Sequence, residues 1–136
     1  PELDQWEPGQ HTGTFRGNQL SLVAGKIGMD MMVDQHIEAE VQRKGKIVEE
    51  FLRDKILPLD SRIGYRGIGL IWGVDFSAFG KDMTKPLMAA CFRNGLIIER
   101  VGRDNNVLKI MPPLVIEDEL LLRGLEIIRA SLQEIL

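Results

Sequence analysis

The sequence predicts an α/β domain, in which two helices precede a small sheet of about three to four strands flanked by two further helices. Three observations carry that reading. Apolar residues recur at three- and four-residue steps before Pro58, β-branched and aromatic runs broken by glycine follow it, and an apolar helical stripe returns beyond Glu117.

Up to Gly17 no period is visible, and Pro8, Gly9 and Gly13 punctuate an arm expected to be a loop. Asn18 then stands as N-cap to a helix over 19–32 whose face is Leu20, Val23, Ala24, Ile27 and Met31. Ala24, Gly25 and Gly28 form a small-residue patch on it. Each glycine costs an isolated helix about 1 kcal/mol, so close packing against a neighbour is expected. After Asp34 a second helix places Ile37, Val41, Val48, Phe51, Leu52 and Ile56 on one face, and ends near Pro58. Glu38, Arg43, Lys44, Lys46, Glu49, Glu50 and Arg53 lie opposite, and their mixed signs read as a solvated face.

Ile63-Gly64-Tyr65 and the run from Leu70 to Phe76 read as paired strands. Thr84 as N-cap, Pro86 in the first turn and Gly95 past the end bound a third helix with Leu87, Met88, Cys91 and Phe92 inward. Residues 96–100 form a strand, Arg103-Asp104-Asn105-Asn106 a polar turn, and residues 107–111 the returning strand, which Pro112-Pro113 stops. The last helix carries Leu120, Leu121, Gly124, Leu125, Ile128, Leu132 and Ile135 on one stripe, with Glu117, Asp118 and Glu119 at its positive end.

Composition bounds the function. A chain of 136 residues, 44% hydrophobic and 27% charged, suits one packed domain. Seventeen Lys and Arg against 20 Asp and Glu give a net charge of -3, which argues against nucleic acid and membrane surfaces as partners. The lone Cys91 has no internal disulfide partner, so a reduced, cytoplasmic compartment is expected, with Cys91 a core residue. The opening at Pro1, with no initiator Met, reads as a piece cut from a longer chain.

Among possible sites, His11 and His36 have no partners at metal-ligand spacing, and no metal is expected. Gly64, Gly67, Gly69 and Gly73 do not match a dinucleotide fingerprint. The stretch His11-Thr12-Gly13-Thr14-Phe15-Arg16-Gly17-Asn18 combines glycines, hydroxyls and a helix start. It reads either as a turn and cap or as an anion loop. Lys109, between Leu108 and Ile110, points away from the face those two occupy, as an edge lysine or a ligand anchor. No nucleophile and base pair, facing carboxylates or metal set is present, so no catalytic residue is assigned.

Several separated motifs resemble class III pyridoxal-phosphate aminotransferases. They are Pro1-Glu2-Leu3-Asp4, Trp6-Glu7-Pro8-Gly9-Gln10 and the His11 to Asn18 stretch, then Gln42-Arg43-Lys44-Gly45 and Arg66-Gly67-Ile68-Gly69-Leu70 with Gly73-Val74-Asp75. Asn94-Gly95-Leu96-Ile97-Ile98-Glu99 and Pro112-Pro113-Leu114 complete the order along the whole chain. The resemblance implies the C-terminal part of a fold-type I enzyme, with residues 1–57 ending the large domain and 58–136 forming the small domain. It implies pyridoxal 5'-phosphate as cofactor, amino-acid and oxo-acid substrates, and a homodimer with shared active sites. Thr14, with Gly13 and Phe15, matches the motif that holds the cofactor phosphate for the neighbouring subunit. Lys109 falls where many members carry a carboxylate-clamping arginine, and Arg16 is a second candidate for an anionic substrate group. The Schiff-base lysine and the acidic partner of the pyridine nitrogen lie upstream of Pro1 in the family pattern, so this stretch alone is expected to be inactive. The alternatives are an ω-aminotransferase of the ornithine, acetylornithine or 4-aminobutyrate type and a non-catalytic dimerisation module.

Overall fold

The computed structural model describes residues 2, 5–34, 36–80 and 82–136. Pro1, Leu3 and Asp4 of the first motif lie outside them. The chain divides into two compact units, Pro1–His36 and Ile37–Leu136. The expected division between 57 and 58 concerns the domains of a whole enzyme, whereas compactness in this chain changes between 36 and 37.

In the first unit a turn-rich arm leads into α1, Gln19–Asp34. As the sequence predicts, Asn18 caps it, its Oδ1 accepting the Ser21 N–H at 3.0 Å. Within the first unit the expected close packing is not met. No α1 residue is buried, and added Cβ atoms at Gly25 and Gly28 would meet nothing within 4 Å. Leu20, Val23 and Ile27 stand exposed on its apolar face.

The second unit begins with α2, Ile37–Phe51, continued by a π-helical turn, Leu52–Ile56. Leu57 donates to the Leu52 carbonyl there, and Pro58 closes the path in a 3-10 turn, Leu57–Leu59. Strands β1, Gly64–Ile68, β2, Ile71–Asp75, β3, Glu99–Val101, and β4, Val107–Ile110, form one sheet in the order β1-β2-β4-β3. Every pairing is antiparallel. Helix α3, Thr84–Arg93, links the β1-β2 hairpin to the β3-β4 hairpin, and α4, Asp118–Ile135, follows β4.

One sheet face, with Trp72, Val74, Leu108 and Ile110, joins Val48, Leu52 and Ile56 of the first helical path, Leu87 and Cys91 of α3, and Leu121, Leu125 and Leu132 of α4 in a single core. Each such apolar side chain contributes about 1.5–3 kcal/mol on burial. Gly67 and Gly69 shape the first hairpin. Gly69 has φ +55° at the start of its two-residue turn, and its carbonyl accepts the Trp72 indole N–H at 2.7 Å. A side chain at Gly67 would run into the Trp72 ring and the Ile71 carbonyl.

Three local expectations are corrected. Lys44, placed by its period on the solvated face, is 7% exposed, with its ammonium 4.0 Å from Glu40. This face meets α4: Arg43 donates twice to Asp118, at 2.7 Å each. Thr84 is not the cap of α3 but its first helical residue. Asp82 Oδ1 accepts the Lys85 N–H at 3.0 Å, while the buried Thr84 hydroxyl bonds the Asn105 carbonyl. The strand expected at 96–100 pairs only from Glu99, because Leu96 N–H is taken by the Cys91 carbonyl at 2.9 Å as Gly95, at φ +86°, ends α3.

Candidate functional site

The loop ahead of α1 is built from two successive turns. Arg16 N–H donates to the Gly13 carbonyl at 3.1 Å, and Asn18 N–H to the Phe15 carbonyl at 3.3 Å. Gly17, at φ +79°, joins the loop to the helix cap. Thr14, Phe15 and Arg16 are all exposed. Arg16 folds back over Gly13 so closely that an added Cβ there would lie 2.9 Å from the Arg16 Nε. Gly13 therefore leaves a cradle that the guanidinium stem enters. A hydroxyl, a guanidinium and exposed backbone in one short loop form a donor set suited to an anion, and a phosphate fits that chemistry. Among the described residues no carboxylate lies within 4 Å of the Arg16 guanidinium. His11, in the same arm, packs against Trp6 with ring centroids 4.9 Å apart and the planes tilted by 43°.

Lys109 occupies the sheet face opposite the core. Its neighbours along β4, Leu108 and Ile110, are buried, and alternation turns Lys109 outward, as the sequence predicts. Directly across the ladder stands Glu99, and the Lys109 ammonium donates to Glu99 Oε2 at 2.6 Å. The lysine side chain is 25% exposed and the glutamate 68%. Lys109 is thus partly sheltered while its partner reaches into the open. The Lys109 hydrogen bond and positive charge hold the Glu99 carboxyl below its ordinary value. On the other side of Lys109 along the row is Gly73, and beyond it Arg66, whose guanidinium bonds Asp75 at 3.0 Å. The space above Gly73 is taken by the Val107 side chain, whose Cγ1 would lie 2.8 Å from a Cβ added at the glycine.

Both charged residues also border a cavity of about 310 Å³ between the β3-β4 edge and α4, walled by Leu96, Ile98, Ile116, Leu120 and Leu125. The ion pair itself stands on the other face of the sheet, by the alternation of β4.

Glu99 was not among the residues expected at a site. A four-residue turn at 103–106 centres the hairpin between Asp104 and Asn105, which would set Arg100 opposite Lys109. The loop in fact has five residues, 102–106, closed by the Val101 and Val107 pair. Gly102 at φ +92° and Asn105 at φ +52° make the extra residue possible. A one-residue slip exchanges the two faces of a strand, and here it brings a carboxylate to the lysine.

Cys91 is fully buried, as expected, and burial pushes its thiol up. No helix among the described residues is long and apolar enough to cross a membrane.

Comparison with known proteins shows the family. The family model for aminotransferase class-III matches residues 3–132. The diaminobutyrate--2-oxoglutarate transaminase of Wolinella succinogenes is 42% identical over 137 residues, covering 100% of this chain and 32% of that protein. The enzyme of the same name from Halomonas elongata is 41% identical over 139 residues, covering 98% and 32%. Among solved structures, the ornithine aminotransferase of Toxoplasma gondii superposes with a TM-score of 0.80 at 25% identity, over 95% of this chain and 30% of that one. The acetylornithine aminotransferase of Elizabethkingia anophelis gives 0.78 at 27% identity, over 95% and 33%. The chain spans about a third of the length of the curated relatives it matches.

Proposed function

The chain belongs to the class III aminotransferases, and from that membership we propose that it works within a full-length enzyme that transfers an amino group from glutamate to aspartate 4-semialdehyde, giving 2,4-diaminobutyrate and 2-oxoglutarate. The observation that carries this reading is the likeness to two diaminobutyrate transaminases along essentially all of this chain. Pyridoxal phosphate, the family's cofactor, supplies the electron sink for amino transfer when bound. In this chain Gly13, Thr14 and Phe15 are the residues for its phosphate. The Thr14 hydroxyl would donate to a phosphate oxygen, beside the Arg16 stem that folds over Gly13.

Lys109 takes the carboxylate of the amino-acid or oxo-acid substrate. Its outward direction and its partial shelter support this role. Arg16 is the second candidate for an anionic group. A lysine is a compact point charge where ornithine, acetylornithine and 4-aminobutyrate enzymes are expected to use an arginine fork, which weighs against those substrates. The exposed apolar face of α1 supports a homodimer, since the close neighbour its small residues suit would come from a second copy. The compartment we assign is the cytoplasm, as the single buried thiol suggests.

The test is a substrate panel on the full-length enzyme, wild type and Lys109→Met. Diaminobutyrate with 2-oxoglutarate is expected to exceed ornithine, acetylornithine and 4-aminobutyrate by about tenfold or more in kcat/KM. Lys109→Met is expected to lose more than about tenfold, with thermal stability little changed. A better turnover of any other donor overturns the substrate, and unchanged kinetics in the variant removes Lys109 from the site.

A further inference from the structure

We propose that Glu99 and Lys109 together read the α-amino acid head of the substrate, Lys109 taking its carboxylate and Glu99 its ammonium, so that Glu99 makes the site selective for diamino acids over ω-amino acids that lack an α-ammonium. The inference rests on the reading of Lys109 as the carboxylate anchor, and adds a specificity-determining residue to it.

The reasoning starts from the ion pair itself. Glu99 and Lys109 are directly opposed on one ladder, with a Nζ to Oε2 distance of 2.6 Å. A carboxylate approaching Lys109 alone would have to displace Glu99 or lie against its negative charge. Either course weakens binding, because like charges in contact repel. A zwitterionic head behaves differently. Its carboxylate meets the lysine, its ammonium meets the glutamate, and the four charges close into an alternating ring that keeps the existing pair intact.

Position and exposure suit that role. Glu99 is 68% exposed, so its second oxygen is free to accept a bond, and Lys109 has further N–H donors beyond the one given to Glu99. On the far flank of the lysine the Val107 side chain lies over Gly73, so the pair is open on its Glu99 side. The depressed carboxyl of Glu99 keeps it anionic at neutral pH.

Two substrates separate this role from a structural one. 2,4-Diaminobutyrate and 4-aminobutyrate share the reacting ω-amine, the chain and the carboxylate, and differ only in the α-ammonium. In the full-length holoenzyme, Glu99→Gln is expected to reduce the preference for diaminobutyrate over 4-aminobutyrate, as a ratio of kcat/KM values, by about tenfold or more, carried mainly by KM. The KM for 2-oxoglutarate, which has no ammonium, is expected not to rise. Glu99→Ala serves as the second variant and is expected to shift the ratio in the same direction. An unchanged ratio in active variants, or an equal loss on both donors, overturns the proposal, the latter because Glu99 would then act only by holding Lys109. Failure of the wild-type enzyme to use diaminobutyrate at all would instead overturn the assigned reaction.

Discussion

Asp60 shows how much one side chain organises. It stands where the helical path of α2 ends and β1 is about to begin, and it accepts the Arg62 N–H at 2.9 Å and the Arg62 Nε and Nη2 at 2.9 and 2.6 Å. Arg62 in turn lies over the Phe79 ring, 4.0 Å from its centroid. One carboxylate thereby ties a turn to a core aromatic. The Arg62 side chain and N–H hold its pKa at about 2, below the ordinary 3.8. A carboxylate whose folded pKa is depressed stabilises the fold above the unfolded value, and that contribution is lost as pH falls through the folded one. The protein is therefore expected to lose stability between about pH 4 and pH 2. Asp60→Asn should lose less over the same interval. Urea midpoints for both proteins at neutral pH and through the acid range check this, and parallel declines would remove Asp60 from the account.

At the scale of elements, the close approach of α2 to the first hairpin depends on paired glycines. An added Cβ at Gly45 would lie 2.6 Å from the Gly69 carbonyl oxygen and 3.0 Å from its Cα, both backbone atoms that cannot rotate away. Gly45→Ala is expected to destabilise by about 1–3 kcal/mol, the cost of overpacking, even though alanine is the better helix former. Denaturant unfolding measures it, and a stabilised variant would show that the hairpin yields. These contacts also separate what was legible in the sequence from what was not. The Asn18 cap, the β4 alternation that turns Lys109 outward and the Gly95 stop follow from local periods and local hydrogen bonds, and all could be read from neighbouring residues. Lys44 and Glu99 could not. Lys44 is covered because Arg43 reaches a residue 75 positions away, and Glu99 meets Lys109 because the hairpin loop holds one residue more than its polar core suggests. Tertiary reach and register are not local quantities.

For the molecule as a whole, every residue of the hydrophobic core cluster lies within Ile37–Leu136. Helix α1 buries none of its side chains. The sheet has a helical cover on its core face and closes its own hairpins, while α4 is tied to α2 through Arg43 and Asp118, and to α3 through Arg93 and Glu134 at 2.6 Å. A unit of this size can bury enough apolar surface to offset its chain entropy. Residues 37–136 expressed alone are therefore expected to fold cooperatively, with one unfolding transition seen alike by far-ultraviolet circular dichroism and tryptophan fluorescence. Trp72, in the core and bonded to Gly69, is the sole tryptophan of that stretch and reports directly on the sheet. Its melting temperature is expected to fall within a few degrees of the 136-residue chain, because removing an element that buries nothing deletes little of the stabilising surface. Non-coincident transitions, or a fragment with helix but no fixed tryptophan environment, would mean that residues before Ile37 are needed to complete the core.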